Sequence, residues 1–269
     1  MAFGSVRSVV ICMLSVVAFT NVLPCEGQYL QFRNYEPMYT TPLPFPPCKI
    51  DNLDCLRRGL RTFLILMETG KHGMKPIDPI IINSVTVALP NEQMSFLMRH
   101  VNVTGAKWSK LDDRKFNLIG GKNGIQFSSN LHITGEIIMS MAGRIDPFIA
   151  YITMDIYEIE SNITYAITGQ RGYDNEDYIL IGPERIAVRN TGSPKFFLQP
   201  GSSRVQNRTI VPEDTEESYM IQQVLTAREP ILDHMANEIT IAVMHEMVNN
   251  FRIFASKVPV RHYYTYNKK

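Results

Sequence analysis

The sequence is short of several things, and each shortage narrows what the chain can be. It lacks an excess of either charge: 27 Lys and Arg stand against 26 Asp and Glu, for a net of +1. A nucleic-acid surface would need a clustered basic surplus. It lacks any apolar run near the roughly 18 residues of a spanning helix, the run from Val9 to Phe19 being too short. With 45% apolar and 20% charged residues it is neither disordered nor fibrous. Catalytic signatures are missing too: there is no G-x-S-x-G elbow, no P-loop and no G-x-G-x-x-G. His245-Glu246-Met247-Val248-Asn249 comes nearest to a zinc metalloprotease helix, but asparagine stands where the second imidazole ligand is required. Asp233 and His234 are adjacent on a helix, so they point in different directions and form no acid/base pair. No catalytic residue, metal ligand or cofactor site is therefore assigned.

Among the features present, the first is a leader. Arg7 precedes the apolar run, and Cys25 and Gly27 occupy the minus-three and minus-one positions of a cleavage before Gln28. Residues 1–27 are read as a secretory signal peptide. Cleavage removes Cys12 and Cys25, leaving Cys48 and Cys55 as the mature thiols, seven positions apart. In an oxidising compartment a single disulfide is the natural inference. A redox or metal pair is disfavoured, since there is neither a C-x-x-C motif nor a neighbouring histidine. Three sequons, at Asn102, Asn162 and Asn207, fit secretion and are candidate glycosylation sites.

Residues 28–47 hold five prolines and read as an extended leader to the domain, which occupies 48–269. From Asn52 to Thr69 the apolar residues Leu53, Leu56, Leu60, Phe63, Leu64 and Met67 recur at helical spacing, with Arg57, Arg58 and Arg61 opposite. Gly70 supplies a stop. The middle of the chain alternates instead. Strands are predicted over Ser84 to Leu89, Ile125 to Ile133, Glu136 to Met141, Phe148 to Ile159 and Asn162 to Thr168, joined by short breaks that favour an antiparallel meander. Apolar residues on both faces of Phe148 to Ile159 predict a strand covered on both sides. After Pro212 the helical period returns and runs to Pro259, with Asp214 and Glu217 as a capping-box-like start and Pro230 marking either a kink or the first turn of a second helix. The fold class is α+β: a curved antiparallel sheet with a long C-terminal helix that needs cover on more than one side.

The 14 methionines and 13 phenylalanines either fill a core or line an adaptable cavity; composition alone favours the core. The order of features adds a resemblance. Pro47-Cys48, Cys55-Leu56, the amphipathic helix, Gly73 followed by Ile77-Asp78-Pro79, the strand-rich middle and the final helix ending at Val258-Pro259 before a tyrosine pair resemble the takeout and juvenile-hormone-binding protein family of insects. The resemblance covers Cys48 to about Tyr264. It implies an elongated tubular lipid-binding fold with an internal hydrophobic tunnel, a Cys48–Cys55 disulfide, and a secreted carrier whose partner is a small hydrophobic ligand such as juvenile hormone, another terpenoid or a lipid. The second disulfide of the haemolymph hormone carriers has no thiols here, so the chain resembles the takeout-like branch. Neither nucleic acid nor stable membrane insertion is expected. By periodicity, Leu60, Phe63 and Leu64 of the first helix and Phe127, Met139, Ile152 and Met154 of the strands are expected to line the tunnel, opposite Met235, Ile239 and Val243. Two rival readings are an extracellular interaction protein on the same scaffold without cargo, and a hydrolase of lipid esters. Retention of an apolar molecule in native mass spectrometry, and turnover of such esters, would tell them apart.

Overall fold

The computed structural model describes residues 42–89, 93–115, 122–200, 205–206, 209–210 and 215–265. The leader 1–27, most of the proline-rich extension, Asp214 and the sequon at Asn207 lie outside the described residues. The chain runs β1 (Cys48–Lys49), α1 (Leu53–Glu68), β2 (Ile80–Leu89), β3 (Met94–Thr104), β4 (Lys110–Lys115), β5 (Lys122–Met141), β6 (Phe148–Arg171), β7 (Asp177–Arg189), β8 (Lys195–Pro200), β9 (Val205–Gln206), β10 (Thr209–Ile210), α2 (Thr215–Ala227), α3 (Glu229–Ala255) and β11 (Tyr264–Thr265).

Asn52 caps α1, its side chain accepting from the Cys55 N–H at 3.0 Å. The helix ends at Thr69, and Gly70 follows in the left-handed region at φ +64°. Pro230 stands in the first turn of α3, where its missing N–H costs nothing; the C-terminal helical stretch is thus two helices, with α3 spanning 27 residues, about 40 Å.

Seven strands form one antiparallel sheet in the order β2-β3-β5-β6-β7, with β4 on β5 and β8 on β6. Two of the predicted breaks are absent. Gly135, which falls between the strands predicted to end at Ile133 and to begin at Glu136, lies inside the 20-residue β5; a side chain there would come within 3.2 Å of the Arg99 carbonyl, so the glycine allows close strand approach and makes no turn. The polar stretch Glu160-Ser161-Asn162 lies inside the 24-residue β6. Ser161 is fully buried there. The inward alternation continues through this stretch because an irregularity opposite Ser129 and Leu131, with Glu158 at φ +51°, resets the phase between Ile156 and Ile159. The expectation that Phe148 to Ile159 is covered on both faces is corrected by Tyr151 and Tyr157, each about half exposed. Strands β3, β4, β7 and β8 were not anticipated.

The two long strands exchange neighbours halfway. Residues 124–128 of β5 and 160–171 of β6 are flanked by β4 and β7, whereas 132–141 and 150–155 are flanked by β3 and β8. The domain therefore has two ends. At one, α1 and the C-terminal half of α3 face β4 and β7; at the other, α2 and the N-terminal half of α3 lie with β2, β6 and β8. The core is continuous between them.

Candidate functional site

The inner faces of the elements at the first end do not meet completely, and a cavity of about 120 Å³ remains. Leu56, Gly59, Leu60, Phe63 and Met67 of α1 form one side, and Leu111, Ile125, Phe127, Ile163 and Ile181 of the sheet another. Met247, Val248, Phe251 and Phe254 of α3 close the third. Phe63 meets Phe254 and Phe251 edge to face at centroid separations of 5.0 and 5.9 Å, a geometry favourable by about 0.5 to 1.5 kcal/mol per pair.

The end wall is tied by local chemistry. Cys48 and Cys55 are disulfide-bonded with Cα atoms 5.6 Å apart, as expected. The Cys48 N–H donates to the Tyr263 carbonyl at 2.9 Å, and β1 pairs in parallel with β11. Phe45 and Cys48 from the N-terminal segment and Tyr263 and Tyr264 from the C-terminal segment thereby close the cavity together.

Polar groups are few and gathered: Arg114, Tyr165, Tyr263 and Tyr264. Tyr165 and Tyr263 are 4% and 5% exposed, and neither hydroxyl has a hydrogen-bond partner. Burial, reinforced by the neighbouring Tyr264, pushes both phenols well above their ordinary value of 10.0. Burial also raises Tyr264, with Arg114 pulling the other way. All three stay neutral donors across the physiological range. A buried hydroxyl left unpaired costs about 1 to 3 kcal/mol.

Next to the cavity, Ile181 belongs to a border strand held by α3. Arg252 donates to the carbonyls of Ile181 at 3.2 Å and Gly182 at 2.7 Å, and its guanidinium and the His245 ring both engage the Glu184 carboxylate. Burial raises the Glu184 carboxyl, but the bonds from Arg252, from its own backbone and from His245, with the Arg252 charge, outweigh it and hold the group below the usual carboxylate range.

Of the residues expected to line a tunnel, Leu60, Phe63 and Phe127 lie on this cavity. Leu64, Met139, Ile152, Met154, Met235, Ile239 and Val243 are buried in the core and are not among its lining. Met139, Ile152 and Met154 pair at the opposite end of the sheet. Periodicity identifies the face of a strand but not the level along it. Gly59, Tyr165, Met247 and Phe251 were missed as wall residues, although Gly59 continues the apolar stripe of α1 and Tyr165 the alternation of Ile163 and Ile167. Of the sequons, Asn162 is exposed on β6, and Asn102 is half buried with an unpaired side-chain oxygen.

No family model matches the chain. It is 21% identical over 224 residues to the juvenile hormone-binding protein of Manduca sexta, covering 82% of this chain and 95% of that protein. The crystal structure of Takeout 1 from Epiphyas postvittana superimposes with a TM-score of 0.67 at 13% identity, over 82% of this chain and all of the other. These likenesses bear out the resemblance to the takeout and juvenile-hormone-binding family, and the fold is that of Takeout 1.

Proposed function

We propose that this takeout-like chain is a secreted, non-catalytic carrier that withdraws a small oxygen-bearing apolar molecule, such as a terpenoid hormone or a lipid, into the cavity between α1, α3 and the sheet. The observation that carries the reading is a void walled almost wholly by apolar side chains, with Tyr165 and Tyr263, whose hydroxyls are buried and unpartnered, among its lining. The likeness to a juvenile hormone-binding protein supports the ligand class. A guest of about fifteen carbons gains roughly 12 kcal/mol on leaving water, at about 0.8 kcal/mol per methylene, against association costs of about 4 to 15 kcal/mol. Tight binding then requires a water-free site that opens at little cost in ordering.

The void alone is smaller than such a guest. An engineered cavity of about 150 Å³ holds a benzene, so 120 Å³ accommodates a ring-sized or branched head. The remainder is accommodated by displacement of the pliable Met67 and Met247 walls and of the Phe45 segment, extending the void toward the tunnel implied by the resemblance. Carriage of this kind is assigned to the domain 48–269, released from a signal peptide at 1–27 and preceded by the extension 28–47, with Asn102, Asn162 and Asn207 as glycan acceptors.

Native mass spectrometry of protein from its own tissue tests the proposal. A retained apolar molecule bearing an oxygen function, lost on Tyr165→Phe with Tyr263→Phe, is expected. Protein that emerges empty under conditions preserving the fold, and that takes up neither juvenile hormone nor fatty acids in titrations, would refute it.

A further inference from the structure

The chain has one tryptophan, Trp108, and a rigid turn holds it in solvent. Gly105 has φ +99°, and a side chain there would run into the Asn130 carbonyl. The Asp78 carboxylate, almost fully buried, accepts from the Gly105 N–H at 3.1 Å and pairs with Lys107 at 3.6 Å. The short helical turn Ala106–Trp108 is thus fixed from beneath, yet Trp108 remains 59% exposed. Two cations stand over the indole: the Arg61 guanidinium lies 5.4 Å from the ring centroid and the Lys107 ammonium 5.7 Å. One turn beyond Arg61 on α1, Ile65 is 55% exposed, and Arg58 continues the same exposed stripe. The acid at the helix start, Asp54, is engaged by Arg57, which also binds the carbonyls of Leu111 and Asp112.

An exposed indole flanked by Arg61 and Lys107, with Ile65 and Arg58 exposed on the same helix, matches the interface of an anionic bilayer. The indole belongs at headgroup depth with its N–H wet, and each nearby cation is drawn to acidic lipid. We propose that this face of α1 and the Gly105–Trp108 turn dock the protein peripherally on an anionic lipid surface, with Trp108 inserted at headgroup level. The inference stands on the exposed face and not on the cargo reading. If both hold, docking places the bilayer and the cavity wall of Leu60 and Phe63 on opposite sides of one helix.

The chain from Gln28 onward, mixed with phosphatidylcholine vesicles with and without phosphatidylserine, tests it directly, because all indole emission comes from Trp108. Co-sedimentation with the serine-containing vesicles and a blue shift of that emission are expected, both fading as salt rises. Arg58→Ala and Arg61→Ala should each weaken partitioning about five-fold, and Trp108→Ala should weaken it further, with circular dichroism unchanged. Failure to partition into acidic vesicles, which would leave the patch to a protein partner, overturns the proposal. So does binding that leaves the emission unmoved, or equal partitioning by a folded Arg58→Ala, Arg61→Ala double variant.

Discussion

Substitution at Gly59 should move stability and uptake in opposite directions. The residue lies inside α1 and on the cavity wall. A β-carbon added there would sit 3.7 Å from a Phe45 ring carbon and 3.9 Å from the Cys48 sulfur, ordinary contact distances. Gly59→Ala therefore gains the helix-propensity difference, about 0.8 to 1.0 kcal/mol, without overpacking. For a domain of this size that is a melting-temperature rise of about 2 to 4 °C. Gly59→Leu goes further and projects an isobutyl group into the 120 Å³ void. Space denied to three or four carbons of a guest removes about 2.5 to 3 kcal/mol of its transfer energy at about 0.8 kcal/mol each, roughly a hundred-fold in affinity. Differential scanning fluorimetry and displacement of an environment-sensitive apolar dye by juvenile hormone would read the two effects. A Gly59→Leu protein that melts like its parent and still binds hormone with parental affinity would show that the guest sits elsewhere. A destabilised Gly59→Ala would show that the space beside Phe45 is not free.

Phe63→Asp places a charge in the aromatic wall and should abolish either uptake or folding; unchanged dye uptake by a folded variant would remove Phe63 from the site. Because the folded Glu184 carboxyl lies below its ordinary value of 4.5, its contribution is complete above that pH and disappears as pH falls through the folded value. Glu184→Gln should then cost about 2 kcal/mol near neutrality and flatten the acid limb of a urea-denaturation series. Opening the Cys48–Cys55 bridge as a paired serine variant should cost about 2.5 kcal/mol by the chain-entropy model for so short a loop, read from denaturant midpoints. Gly105→Ala, strained by φ +99° and by the Asn130 carbonyl, should lose about 1 to 3 kcal/mol and shift the Trp108 emission.

Periodicity carried the architecture further than it carried the site. The stripe Leu56, Leu60, Phe63 and Met67 is the inner face of α1, and Pro230 does open a helix. Local punctuation misled where tertiary packing reassigns its meaning: Gly135 permits approach to Arg99, and Ser161 turns inward within an unbroken strand. Strand β4, Lys-Leu-Asp-Asp-Arg-Lys, buries only Leu111 among the six, so its hydropathy carries no alternation to detect. The void itself is a difference between packed neighbours. Phe127 borders it and Met139 does not, though both are inward residues of the same strand. Which level is left unfilled depends on β4 and β7 replacing β3 and β8 as flanks, information that lies in pairing and not in any one segment.

The grip of Arg252 on the border strand β7 has a further consequence. Backbone carbonyls along an uncovered strand edge invite another chain to add itself, and at Ile181 and Gly182 a guanidinium already occupies the positions such a visitor would use. The same side chain that fastens the long helix thus takes up acceptors on the outermost strand that an added strand would otherwise need.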